Sequence, residues 1–281
     1  MMGATHLDRL LKRDAGVTLI ALTALCAVAW AYLLGGAGMS SPAWPQLLNG
    51  HEPAAASDMA AMHVATAGAH AHEPTLAGTR DLVLTVTMWW SMMIAMMAPS
   101  AVPMVLLYAR VARTARSLQG EPVLAHTGWF VAGYLAVWLM FSLGATLLQH
   151  GLVRLTWLSP MEMRVQNPWF DAGLLILAGA YQLSPAYEVC LRGCRSPARF
   201  LAENYRPGVV GALRLGELHG ASCVGCSWLL MLLLFVGGVM NLAWIVGLTL
   251  LVAAQKLLPG GLWIGRIAGV ALIVWGLASL A

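Results

Sequence analysis

Seven apolar runs, each long enough to cross a hydrocarbon layer as a helix, constrain this chain more than any other feature. They occupy residues 16–37, 82–108, 127–148, 169–187, 223–239, 242–257 and 262–280. A membrane-spanning helix needs about 20 apolar residues, whereas a barrel strand shows as ~10 residues of alternating polarity. These runs do not alternate. Lipid offers backbone groups no partner, so each run must satisfy its own amides, and a helix does so. Only 10% of the residues are charged and 59% are hydrophobic, against about 25% charged in soluble domains. The expectation is an all-α, polytopic transmembrane helical bundle of about seven spans. The first run exceeds the ~7–15 apolar residues of a signal peptide and reads as an uncleaved helix. The division between the fifth and sixth runs rests on Gly237, Gly238 and Asn241 alone.

The basic residues orient the bundle. If the runs alternate in direction, thirteen Lys and Arg residues, from Arg9 and Lys12 through Arg110, Arg192, Arg195 and Arg214 to Lys256 and Arg266, share one side. Arg80, Arg154 and Arg164 take the other. The positive-inside rule then places the N-terminus in the cytoplasm and the C-terminus outside, as for a multi-pass protein of a bacterial inner membrane. The net charge of +4 serves topology, and no basic-aromatic groove points to nucleic acid. Three regions follow: residues 1–37, a cytoplasmic N-terminus and first helix; residues 38–81, an outer, flexible loop containing His and Met; and residues 82–281, a six-helix membrane domain with a cytoplasmic Cys-containing loop at 190–222. Within that loop, residues 209–219 read as a short interfacial helix. Lys256 is expected to snorkel to the cytoplasmic surface. Asp171, Gln149, Gln182, Glu188 and His219 lie near the ends of the runs, within reach of water. Gly265 and Gly269 form a GxxxG that lets helices approach closely.

Three sets of soft ligands stand out. Cys190 and Cys194 form a CxxxC, and Cys223 and Cys226 form a CxxC. The second pair reads as a turn entering the fifth helix, where the helix dipole would favour a thiolate. Thiolates bind Cu(I) and Zn²⁺. Both pairs fall at one membrane face, so they make one four-sulfur site or two two-sulfur sites. Buried packing, a redox CxxC and a structural disulfide, the last disfavoured on the cytoplasmic side where thiols stay reduced, compete with this reading. Cys26 stands alone and reads as packing. The second set lies in the run MWWSMMIAMMAPSAVPM. Met88, Met92 and Met96 recur every fourth residue, and Met93 and Met97 repeat the spacing one position round. A thioether stripe suits Cu(I), although methionine also fills apolar gaps. Pro99 and Pro103 follow and interrupt the backbone ladder there. The third set is in the outer loop, where His63, His70 and His72 accompany Met59 and Met62; imidazole and thioether together suit copper capture. No phosphate loop, nucleophile elbow or HExxH is present, so no catalytic residue and no organic cofactor are expected.

The runs MWWSMMIAMMAPSAVPM, AGAYQLSPAYEVCLRGCRSP and CVGCSWLLMLLLFVGGVMNLAW, in this order, resemble a bacterial family described as predicted metal-binding integral membrane proteins. The resemblance covers about residues 82–280. It implies that Cys190, Cys194, Cys223 and Cys226 belong to the family pattern, with the Met-rich run, Met231, Met240 and Asn241. Three positions depart from that pattern: Ser227 stands where a second adjacent cysteine is common, Tyr187 where a lysine is common, and Gln255 where a glutamate precedes the lysine.

Soft ligands at three depths lead to a non-enzymatic reading: a membrane protein that binds, delivers or transports copper, with zinc as the alternative metal. Outer His and Met would capture the ion, the Met stripe would hold it, and the cysteines would receive it. Its partners would be the bilayer and a metal donor or acceptor protein. The competing readings are an assembly or scaffold subunit of a membrane complex and, ranked last, a membrane thiol oxidoreductase.

Overall fold

A computed structural model describes residues 2–35, 74–116, 123–158 and 163–280. The His and Met residues of the expected outer loop, His63, His70 and His72 included, lie outside the described residues. The described chain is helical: α1 (Met2–Leu34), α2 (Pro74–Arg116), α3 (Val123–Arg154), α4 (Pro168–Gln182), α5 (Pro185–Arg195), α6 (Pro197–Asn204), α7 (Gly208–Leu232), α8 (Leu234–Gly237), α9 (Leu242–Leu257) and α10 (Gly261–Ala278). Stretches within five of these elements are long and apolar enough to cross a membrane. The pair α4 and α5 passes the same test together but bends by 65° at its break, and α9 is a shorter apolar helix.

Local chemistry sets the breaks. Pro185 has no amide proton and disfavours a helical residue before it. Ser184 accordingly adopts an extended backbone and caps α5 by accepting the Tyr187 amide. The fourth apolar run is therefore two helices at an angle rather than one straight helix. The fifth and sixth runs part where the glycines and Asn241 predicted. Gly238 takes a φ of 91°, open to glycine at no steric cost. Asn241 then accepts the Trp244 amide and starts α9. The loop before α4 is pinned to this break, because the Val165 amide donates to the Phe235 carbonyl and the Val239 amide to that of Met163.

Two expectations are corrected and one is sharpened. Residues 209–219 are not a separate interfacial helix but the first turns of α7, which begins at Gly208. Pro99 and Pro103 remove ladder donors, as expected, within a helix that runs on past them. Both sit on the exposed side of a continuous α2, and the Ala95 carbonyl that Pro99 leaves without its helical partner receives the Cys26 thiol at 3.7 Å. Cys26 thus mends a proline break and is more than filler. Gln149, Gln182 and His219 do not reach water but are buried. Gln149 accepts the Trp89 indole at 2.6 Å, and Gln182 accepts the Gln255 amide at 2.9 Å.

Small residues allow the helices to touch. A Cβ on Gly216 of α7 would stand 2.0 Å from the Phe130 carbonyl oxygen of α3, and one on Gly179 of α4 would stand 2.4 Å from that of Gly269 in α10. The GxxxG glycine therefore does serve close approach. At Gly216 the obstacle is backbone, which cannot rotate away. Gly216→Ala should lower stability by about 1–3 kcal/mol, the usual penalty of overpacking. Thermal unfolding in detergent checks this, and an unchanged midpoint would contradict the α3–α7 contact.

Candidate metal centre

The five methionines of the α2 stripe, Met88, Met92, Met93, Met96 and Met97, are all buried, at 4% exposure or less. Their spacing covers a broad helix face, and α1, α3 and α9 pack around α2. Met97 lies midway along the apolar stretch Asp81–Arg113. Its thioether faces Ser227 of α7, whose hydroxyl approaches at 3.9 Å, and Lys256 of α9, whose ammonium approaches at 3.6 Å.

On α7 the cysteines stand in mid-helix, about halfway along the apolar stretch Gly208–Gly237. The expected turn is absent there, and with it the expected effect of a helix N-terminus. Within a continuous helix, residues three apart share a face. Cys223 and Cys226 are accordingly both buried, at 2% and 3% exposure. The Cys223 sulfur meets the Lys256 ammonium at 2.9 Å and the Tyr134 hydroxyl at 3.2 Å. Tyr134 also donates to the Met97 carbonyl at 3.3 Å, which ties α2, α3 and α7 together at this point. The Cys226 thiol donates to the Cys223 carbonyl at 3.2 Å.

From α5, Cys194 brings its sulfur to 3.8 Å from that of Cys226. Cys190, one turn earlier, seats its sulfur on Gly225, where a Cβ would stand 2.7 Å away. The Tyr181 hydroxyl donates to the Gly225 carbonyl at 2.7 Å and fixes the same spot. All four thiols are free. The 65° bend makes this meeting possible, because it turns α5 across α7 and away from the line of α4.

The closest sulfurs therefore meet between helices, Cys194 of α5 against Cys226 of α7, and not as two local pairs, while Met97 of α2 and Cys223 of α7 are linked through the Lys256 ammonium. They form a string: Met97, then Cys223, then Cys226 and Cys194, with Cys190 beside Gly225. Among the described residues, no group of three or more His, Cys, Asp or Glu side chains is placed to hold a metal ion. A closed four-ligand zinc cage of the structural kind is accordingly not preformed. A mixed thioether and thiol set, by contrast, suits a soft monovalent ion such as Cu(I).

Three members of the site were not expected beside the sulfurs. Lys256 was expected at the surface but is buried, at 6% exposure, with its ammonium turned to sulfur. Tyr134 is buried too and sits 5.8 Å from the ring of His219, centroid to centroid. His219 packs among Phe130, Tyr134 and Phe200, and its Nδ1 has no hydrogen-bond partner. The one available signal was spacing: His219 precedes Cys223 by four residues, so both face the same way if the helix is continuous.

A family model described as "PpoB2: Copper chaperone" matches residues 86–279. The chain belongs to this family. The match spans every residue of the sulfur string. A comparison with curated proteins finds no match, and a comparison with solved structures finds none either.

The cross-helix geometry can be read chemically. Mild oxidation with diamide, which takes two hydrogens from a thiol pair, should join Cys194 to Cys226 in preference to Cys190–Cys194 or Cys223–Cys226, since a small rotation closes 3.8 Å to the ~2.05 Å of a disulfide. Peptide mass spectrometry identifies the bridge. A dominant bridge within either local pair would contradict the arrangement.

Proposed function

We propose that the chain is a membrane-embedded copper chaperone of a bacterial inner membrane, which holds Cu(I) within its helix bundle and passes it to an acceptor protein without catalysing a reaction. The observation that carries this reading is the convergence of Met97, from an enclosed methionine stripe, and Cys223 on one side chain, the Lys256 ammonium. Copper here is cargo. Thioethers and thiols are the donors that favour Cu(I), and the family description supports copper over zinc.

The membrane placement is supported by the surface. Ile20, Met140, Leu147 and Ile267 are each about two-thirds exposed, an outward apolar cover that water would penalise and lipid would match. Counting the bent pair and α9 as spans gives the seven of the sequence reading, and the Lys and Arg asymmetry supports a cytoplasmic N-terminus. The methionines of α2 then run inward from the outer half of the bundle towards Met97. Cys226, Cys194 and Cys190 carry the string on to α5, on which Val189 and Arg192 are exposed at the protein surface. An acceptor would dock on that side. His63, His70 and His72 would supply capture outside.

The lack of a preformed cage among the described residues favours a second reading, a scaffold subunit whose sulfur groups only pack. One measurement separates the two. Protein purified in detergent and loaded anaerobically with Cu(I) should retain it in stoichiometric amount. Retention should be largely lost in Cys194/Cys223/Cys226→Ser. Met97→Leu should weaken it by at least the ~10–100-fold that accompanies loss of an outer-shell partner at a metal site. Equal retention by native and triple-serine protein, or none by either, would favour the scaffold.

A further inference from the structure

Lys256 is the least expected group in the bundle. An ammonium is strongly hydrated, and buried charges normally sit beside an opposite charge. Among the described residues, Lys256 makes no ion pair with a carboxylate; those recorded join Arg192 and Arg266 to Glu188, and Arg199 to Glu203. The adjoining Gln255 is neutral and already engaged with Gln182. The ammonium faces two sulfurs instead, that of Cys223 at 2.9 Å and that of Met97 at 3.6 Å. A thioether is a weak acceptor for an ammonium and a good ligand for a soft cation. The pocket is thus lined for one kind of cation and filled by another.

We infer that the Lys256 ammonium is a tethered placeholder for copper: it occupies the position between Met97 and Cys223 when the protein is empty, leaves when Cu(I) enters, and returns as Cu(I) is handed on. The inference rests on the copper-holding reading above and adds how the site is kept and emptied. Two cations cannot share this space, because like charges repel strongly where water is excluded. Exchanging one for the other leaves the number of positive charges in the pocket unchanged. The side chain has the means to move. Its four-carbon stem is flexible, and it lies in the last turn of α9, which ends at Leu257. From there the ammonium can reach past the turn at Pro259 and Gly260, where lysines near helix ends extend to water. Its return would stop the empty sulfurs from trapping another ion and would help release the cargo.

The chain contains two lysines, Lys12 and Lys256, so amine labelling tests this in the native protein. Detergent-solubilised protein is acetylated with an amine-reactive ester, with and without Cu(I) loading under reducing, anaerobic conditions, and each lysine is quantified by peptide mass spectrometry. Cu(I) should raise modification of Lys256 several-fold and leave Lys12 unchanged. Unchanged or reduced labelling of Lys256 in protein that retains Cu(I) would overturn the exchange while leaving the copper-holding reading in place. Absence of Cu(I) retention by the native chain would overturn both. In a second arm, Lys256→Gln removes the competing cation and keeps a polar side chain. It should hold Cu(I) about tenfold more tightly against a colorimetric Cu(I) chelator, and equal or weaker binding would overturn the exchange. If this variant does not fold, the labelling of native protein still decides.

Discussion

An ammonium held away from water is the constraint around which the centre of this bundle is arranged. Lys256 cannot be accommodated by an apolar core, so α9 must bring it to atoms that accept its charge, and those atoms are the sulfur of Cys223 and, more weakly, that of Met97. Three helices therefore have a fixed register at one level. Tyr134 adds α3 by reaching both the Cys223 sulfur and the Met97 carbonyl. The glycine contact that lets α3 lie against α7 sits two turns earlier on α7, at Gly216. In lipid, where apolar burial gives helices little reason to associate, close packing and such polar contacts carry the association.

The apolar runs and the methionine periodicity were legible in the sequence because they depend on local chemistry: backbone satisfaction in the one case, helical repeat in the other. The break at Gly238 and Asn241 was legible for the same reason. What failed was context. Arg214, Glu217 and His219 lower the polarity contrast at the start of α7, so a continuous helix looked like a loop with a short helix in it, and the CxxC looked like a turn. The family resemblance pointed to the four cysteines and included Lys256, but gave no sign that the lysine meets Cys223, and it did not point to Tyr134 or His219. That Cys194 meets Cys226 across two helices depends on the 65° bend at Ser184 and Pro185, whose angle no local pattern encodes. Lys256 was misplaced because a lysine near a helix end usually reaches water, and nothing in its neighbours announces that it points inward.

The departures from the family pattern gain physical meaning from their places. Ser227, where a second adjacent cysteine is common, faces the Met97 thioether; its hydroxyl is a harder and weaker partner for Cu(I) than a thiol. Tyr187 is buried against the Cys226 cluster, with its hydroxyl unpartnered. Gln255 is tied to Gln182 and, through its carbonyl, to Arg195. All three positions lie beside the sulfur string, where their side chains set the polar groups around it.

The central claim is that the protein presents sulfur, and chiefly sulfur, to copper. X-ray absorption at the copper edge of the Cu(I)-loaded protein tests it most directly. The account predicts a first coordination shell of sulfur atoms that is lost in the Cys194/Cys223/Cys226→Ser variant. A first shell made of nitrogen and oxygen, unchanged in that variant, would contradict it.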